Sequence, residues 1–435
     1  MGNSFLKDHL QLTRRYFMQM GLAGVSAASF SPPFAIADDP TDKKANEPAD
    51  NEANKPPKKI ELGDGIKKSE SLVTAQTEFY DVSRGTPIPH SLPEEKKRDV
   101  GMTRETWKLE VISDPEHRAI VRQPMSKEKG TAFDFEKLMK LAETKAVRFG
   151  KVMTCLNLGC PLGYGIWEGV PLRDVIWLTN PGDDIRRVFY YGYHNDDPKQ
   201  IFRSSLPIGR VLEDPFDLPP VILCYKLNGQ WLTPERGGPV RIVVPEAYGF
   251  KSVKWLTHVV LTNLFHANDT YAEQGNDIDS PLKTFAATIK APHEVKAGQP
   301  ISVSGYAQVG FSGLSKVQAW IQNADEPPVQ GDRYFEKAPW VDMEILAPPD
   351  HWGSDFEGGK LPLPIHGFDS TTGKPLTWPM RLGMVHWAGV LPPLPRGSYT
   401  FRCRSIDEKG HAQPTPRPFR RSGFATIEQV SFKVT

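Results

Sequence analysis

The 435-residue chain has only 4 cysteines, too few for a disulfide framework in a protein of this size. No Cys-x-x-Cys-His run occurs, so no covalently attached haem is encoded. A surplus of either charge is also lacking. Lys and Arg number 53 against 52 Asp and Glu, a formal net charge of +1, so nothing global draws the chain to nucleic acid or a membrane surface. The apolar stretch from Met20 to Phe30 is too short and weak for a permanent membrane span. No internal repeat is present. What is plentiful is proline (40) and glycine (36). With recurring β-branched runs, they argue for strands and turns rather than helix bundles.

At the amino terminus, Leu12-Thr13-Arg14-Arg15-Tyr16-Phe17-Met18 precedes the apolar stretch, and Ala35-Ile36-Ala37 follows it. That order is the order of a twin-arginine signal peptide over residues 1–37. It implies export to the periplasm in a folded state, which suits a protein that takes up a complex cofactor before export. Residues 38–60 are Asp, Lys, Asn, Glu and Pro with almost nothing apolar, and residues 38–69 are read as a disordered polar linker. The remaining length suggests two or three domains.

Residues 70–283 form the first block. Trp107 to Ile112 alternates as a strand, and Phe135, Leu138 and Leu141 lie at helical spacing behind an Asp-rich start. Strand-like runs recur at 186–193, 219–227, 239–245 and 254–264, and Asn228-Gly229 signals a tight hairpin. Strands mixed with short helices, without regular βαβ alternation, indicate an α+β domain. Residues 284–435 carry short alternating strands between turns, as in Gln299 to Gln308 and Gly397 to Asp407, and read as an immunoglobulin-like sandwich. The Pro-, Gly- and Trp-rich stretch 325–385 reads as a long loop inserted between strands. The boundary near residue 283 implies a first domain that holds its site without the second.

The segment 147–178 carries the most information. A β-rich run ends on Cys155, a short loop leads to Cys160, and a Trp167-Glu-Gly-Val-Pro-Leu172 turn opens an amphipathic helix. A thiol at a strand end is held rigidly and can be offered to one metal. A free cysteine is more often a small buried hydrophobe, and Cys160 leaves a disulfide or a structural pair open. The spacing is not that of a zinc site.

Downstream, Leu227-Asn228-Gly229-Gln-Trp-Leu-Thr-Pro-Glu-Arg236-Gly-Gly238-Pro-Val-Arg241-Ile-Val-Val-Pro245 is followed by Tyr248-Gly-Phe-Lys251-Ser252-Val253-Lys254. Arg forks and Lys point charges at this spacing suit an anionic ligand with a phosphate. Backbone amides at Ser252 and Val253 add neutral donors. With Cys155, with Tyr80-Asp-Val-Ser-Arg84-Gly85-Thr86-Pro87 and with Arg203-Ser-Ser-Leu-Pro-Ile, these segments resemble the sulfite oxidase family of molybdopterin-dependent oxidoreductases over nearly all of residues 70–435.

The resemblance implies the sulfite oxidase fold for the α+β domain, and a dimerisation role for the sandwich and hence a homodimer. It implies a molybdenum–molybdopterin cofactor, with Cys155 as metal ligand. Cofactor contacts would be Arg84, Gly85, Thr86, Pro87, His194, Arg236, Arg241, Lys251, Ser252, Val253 and Lys254. Arg84 and Arg203 would meet an anionic substrate, and Phe202 stands where the family carries an active-site tyrosine. The implied activity is oxidation of sulfite or a related sulfur anion, with electrons passing to an external cytochrome. Two alternatives are a reductase of sulfoxides or similar oxides, and an exported binding protein without enzymatic activity. Neither nucleic acid nor a membrane span in the mature chain is expected.

Overall fold

The computed structural model describes residues 71–215, 217–279, 281–326, 331–353 and 355–435. The twin-arginine segment and the polar linker lie outside the described residues. The amino-terminal domain holds ten strands: β1 (Lys108–Ser113), β2 (Phe133–Asp134), β3 (Val147–Thr154), β4 (Pro161–Pro171), β5 (Arg187–Gly192), β6 (Arg203–Pro207), β7 (Ile222–Leu227), β8 (Gln230–Trp231), β9 (Arg241–Val243) and β10 (Leu256–Thr262). One sheet has the order β2-β1-β10-β5-β6, and a second has β3-β4-β7-β8 with β9 on β7. Only β1 and β10 pair in parallel in these two sheets. Short helices between the strands make this the α+β domain that the residue pattern indicates.

Local chemistry explains the elements. Asp134 caps the helix Phe135–Lys145, its carboxylate accepting from the Lys137 amide at 2.9 Å. Leu138 on that helix is fully buried. Asn228 (φ 54°) and Gly229 (φ 78°) join β7 to β8 with Leu227 opposite Gln230, the left-handed pair that a two-residue hairpin requires. The stretch Trp167–Pro171 is not a turn but the second half of β4, buried along its whole length between β3 and β7. Its glycine has a packing cause: a Cβ at Gly169 would meet the Leu223 carbonyl and the Cys224 backbone. The helix Leu172–Trp177 then follows directly.

The carboxy-terminal domain is all β, with β11 (Phe285–Lys290), β12 (Glu294–Val295), β13 (Ile301–Gln308), β14 (Lys316–Asn323), β15 (Val341–Ile345), β16 (Met384–Leu391), β17 (Gly397–Ile406) and β18 (Glu428–Val434). They form one path, β11-β13-β16-β15-β14-β17-β18-β12. The path folds back until β11 packs against β17 and β18. Val303, Ala307, Trp387, Phe401 and Phe432 fill the interior of this sandwich.

Residues 325–385 are more than an inserted loop. They contain β15, and Trp352, Phe356, Ile365, Phe368 and Leu382 belong to the core of the amino-terminal domain. The Leu382 carbonyl accepts from the Val152 amide at 2.7 Å, and the His366 amide donates to Arg148 at 2.8 Å. An amino-terminal domain alone would therefore lack part of its own interior. A chain ending at Lys283 is expected not to melt cooperatively, because it loses five core side chains, each worth up to about 2–5 kcal/mol. A soluble fragment with a sharp thermal transition and intact near-ultraviolet circular dichroism would show the opposite.

Lys151 ties β3 to the segment after β9. It is fully buried and donates to the carbonyls of Pro245 (2.8 Å) and Ala247 (2.6 Å). Burial pulls its ammonium from 10.5 down to about 7. The unfolded chain thus binds more protons than the folded one between those values, so stability rises with pH across that window. Lys151→Met should flatten the rise in melting temperature between pH 7 and 9. An unchanged slope would remove this account of Lys151.

Candidate active site

Cys155 follows the last residue of β3 and is half-buried. Burial pushes its thiol up, but the amides of Asn157 and Leu158 point at the sulfur and pull it down. Cys160 lacks those amides; burial and the neighbouring Cys155 push it up to about 12. Both thiols are free. Burial holds both thiols up, and only Cys155 has amides that oppose it.

The other domain clamps this loop. Thr154 Oγ1 donates to Gln308 Oε1 at 2.5 Å, and Gln308 Nε2 donates to the Lys283 carbonyl at 2.7 Å. The Phe424 amide donates to Leu156 at 3.3 Å. Gly159, at φ +64°, lies under the Phe424 ring where a Cβ would have no room. Lys283 Nζ holds the covering segment through the carbonyls of Arg417, Phe419 (3.1 Å) and Gly423 (2.6 Å).

Cys155 opens on a cleft whose lining includes Arg84, His194, Phe202, Arg236, Arg241, Ser252, Val253 and Lys254. One wall is cationic. Arg241 is 5% exposed and donates to the carbonyls of Arg236 (2.9 Å) and Ser252 (2.5 Å), while its Nε is buried with no partner among the described residues. Its guanidinium lies over the Trp167 ring, and burial lowers it to about 10. Lys254 Nζ donates to Asp81 Oδ1 (2.7 Å), Ser83 Oγ (2.9 Å) and the Glu235 carbonyl (2.6 Å). Burial pulls Lys254 down to about 7 against the opposing pull of Asp81. Arg236 is buried and donates to Tyr80. The stem of Lys254 packs on Gly237, whose φ of +93° and lack of a Cβ let it approach.

The other side of the cleft is aromatic. The exposed Arg84 guanidinium sits 4.9 Å above the centre of the Phe202 ring. His194 is buried beside Phe202 and Trp255, with Nδ1 3.2 Å from the Gly192 carbonyl, and burial lowers it so that it stays neutral.

Five expected residues do not line this cleft. The Arg203 guanidinium lies over Phe189 and donates to the Asn268 carbonyl at 2.8 Å. Arg203 ends up there because it lies on β6, whose register on β5 turns it toward that neighbour. Lys251 points into a buried pair with Asp269 (3.5 Å) and donates to the Ser205 carbonyl at 2.7 Å. Gly85, Thr86 and Pro87 tie the Arg84 loop to the segment 195–200 instead; the Thr86 amide donates to Gln200 at 3.0 Å. The Ser252 amide donates to Gly249 (2.9 Å) within its own turn. Sequence reasoning missed Asp81, Gln308 and Tyr271. Asp81 stood three residues from Arg84 and carried the only available signal, a carboxylate amid cations.

A family model, the oxidoreductase molybdopterin binding domain, matches residues 103–269. The chain is 31% identical over 105 residues to the mitochondrial sulfite oxidase of Drosophila melanogaster (23% of this chain, 18% of that protein). It is 34% identical over 99 residues to the sulfite oxidase of Gallus gallus (22% and 21%). It is 28% identical over 182 residues to a nitrate reductase [NADH] of Volvox carteri (35% and 21%). The chain thus spans about a fifth of the length of these curated relatives. The crystal structure of the sulfane dehydrogenase SoxCD from Paracoccus pantotrophus shares the fold, with a TM-score of 0.54, 15% identity and 85% of each chain covered. Residues 103–269 thus carry a molybdopterin-binding oxidoreductase domain similar to that of the sulfite oxidases, and the cofactor such a domain takes is molybdenum–molybdopterin.

The residues present fit that cofactor. Arg241 carries an orphaned donor, and two buried guanidiniums and the largely buried Lys254 stand near one carboxylate, Asp81. Of the two loop thiols Cys155 lines the cleft, so it would be the sulfur donor to the metal. Arg236, Arg241 and Lys254 would hold the anionic end. Arg241→Ala removes a charge-assisted bond of about 1.5–3 kcal/mol and should lower cofactor content in the purified protein. Full loading with only a raised KM would move Arg241 to the substrate.

Proposed function

We propose that the chain is an exported, periplasmic oxidoreductase that oxidises sulfite or a related sulfur anion and passes electrons to an external cytochrome, working as a homodimer. The observation that carries the reading is the thiol of Cys155 at the end of β3, facing two backbone amides and opening on a cleft with a cationic wall and one exposed guanidinium, Arg84. The sulfite oxidases among the relatives support the oxidative direction, and the twin-arginine segment supports export.

The cofactor, when bound, supplies the two-electron redox chemistry. The chain's own groups divide the rest. Cys155 gives a soft, electron-donating sulfur. Arg84 draws an anion to the mouth of the cleft without sealing it, because it remains exposed. Phe202 holds that guanidinium from beneath by a cation–π contact. His194, kept neutral, adds no charge that would bind a product anion more tightly.

The nitrate reductases among the relatives point to the reverse direction, so one screen should cover both. Sulfite, thiosulfate and sulfane substrates would be offered with cytochrome c as acceptor, and nitrate and sulfoxides with a reduced viologen. Turnover in the first arm is expected; turnover only in the second would reverse the assignment. Cys155→Ser substitutes a harder oxygen donor and should abolish turnover. If the serine variant keeps its molybdenum and full activity, Cys155 is not the ligand.

A further inference from the structure

Tyr271 lines the cleft beside Cys155. Its ring stacks on Phe250 at 4.6 Å and 27°, and Phe202 meets it edge-on at 5.3 Å and 89°. These two contacts fix the ring plane. Asn157 Nδ2, two residues beyond the thiol, reaches the phenol oxygen at 3.5 Å. The phenol lies close enough to both Cys155 and Arg84 for each to act on it electrostatically, with opposite sign.

The placement does not come from helix propensity, since Thr270–Glu273 is a single turn. Asp269, wholly buried, fixes it. One carboxylate oxygen accepts from the amides of Tyr271 (3.2 Å) and Ala272 (3.1 Å). The other accepts from Ser205 Oγ (3.0 Å) and Lys251 Nζ (3.5 Å). Arg84 rests on the face of Phe202 and Tyr271 stands perpendicular to the same ring, so one ring packs against both a cation and a neutral hydroxyl donor that line the cleft.

Resting on the proposed function, we propose that Tyr271 and Arg84 together bind the oxygens of a sulfur oxoanion beside Cys155, with Tyr271 supplying the hydroxyl that Phe202 lacks. Burial raises the phenol, so it donates a hydrogen bond and does not act as a base. Asp269 and Lys251 are positioning residues: they hold the turn and touch neither substrate nor cofactor.

The test uses the cofactor-loaded full chain and Tyr271→Phe, which keeps the ring packing. Cofactor content and melting temperature should stay unchanged. Sulfate and sulfite affinity by calorimetry should fall, and kcat/KM with it, by roughly 10- to 100-fold, the range for a hydrogen bond to a charged group. Adding Phe202→Tyr in the Tyr271→Phe background should recover part of the anion affinity, which a purely structural role for Tyr271 does not predict. Wild-type protein that binds neither anion overturns both this proposal and the sulfur-anion reading. Wild-type protein that binds sulfate, with Tyr271→Phe binding it equally well, overturns the Tyr271 assignment alone.

Discussion

Three positive charges, on Arg236, Arg241 and Lys254, stand largely out of water around one carboxylate, Asp81. Removing charges from water costs several kcal/mol per ion unless partners replace the hydration. The protein answers in two ways. Lys254 approaches neutrality, because its ammonium can release a proton. The guanidiniums cannot, so they sit on carbonyl oxygens and on the Trp167 ring instead. An arriving phosphate would satisfy the orphaned Arg241 donor and return Lys254 toward its charged form. A cofactor held by these groups would therefore stabilise the folded chain through the same contacts that recognise it. Much local structure serves this arrangement. Gly237 yields space to the lysine stem, β9 presents Arg241 against β7, and the turn Gly249–Lys251 delivers Ser252 to Lys254 to the wall.

The thiol depends on the second constraint, which is shared construction. Thr154 is anchored by Gln308 and Leu156 by Phe424, both from the carboxy-terminal domain. Trp352 to Leu382, from the same half of the chain, fill the amino-terminal core. A metal ligand must be held to a fraction of an ångström by supporting contacts. Here those contacts cross from one domain to the other. The sandwich is thus part of the site's frame, whatever else it does.

Much of this was legible in the residues. The Asn228-Gly229 hairpin, the capped helix after Asp134, the strand-end position of Cys155 and the cationic run through Lys254 all rest on local chemistry, which short spacing reveals. The errors share a cause as well. Arg203 and Lys251 were read as site cations because charge is visible in sequence, but side-chain direction is not. A neighbouring strand turns Arg203 toward Asn268, and a buried carboxylate, Asp269, captures Lys251. The Gly and Pro residues of Trp167–Pro171 suggested a turn. In a central strand they mark places where adjacent backbones close in. Trp352 and Leu382 looked like loop residues because their partners lie some 200 positions away in the chain, beyond any periodicity.

Lys251 also explains why two lysines three residues apart do different work. Lys251 is buried and Lys254 largely so, and each is paired with one carboxylate. Asp269 belongs to Lys251 and lies wholly inside the protein, so no ligand can displace it. Asp81 belongs to Lys254, which lines the cleft, and is itself about one-third exposed, held also by His90 and Ser83. A pair closed off from the cleft makes a fixed joint, and it fixes the turn that carries Tyr271. A pair that opens on the cleft can exchange its carboxylate for a ligand's anion. On the proposed assignment, the rigid ion pair would stand behind the substrate end of the cleft and the exchangeable pair at the cofactor end. That division follows from where the two carboxylates sit, not from any difference between the lysines.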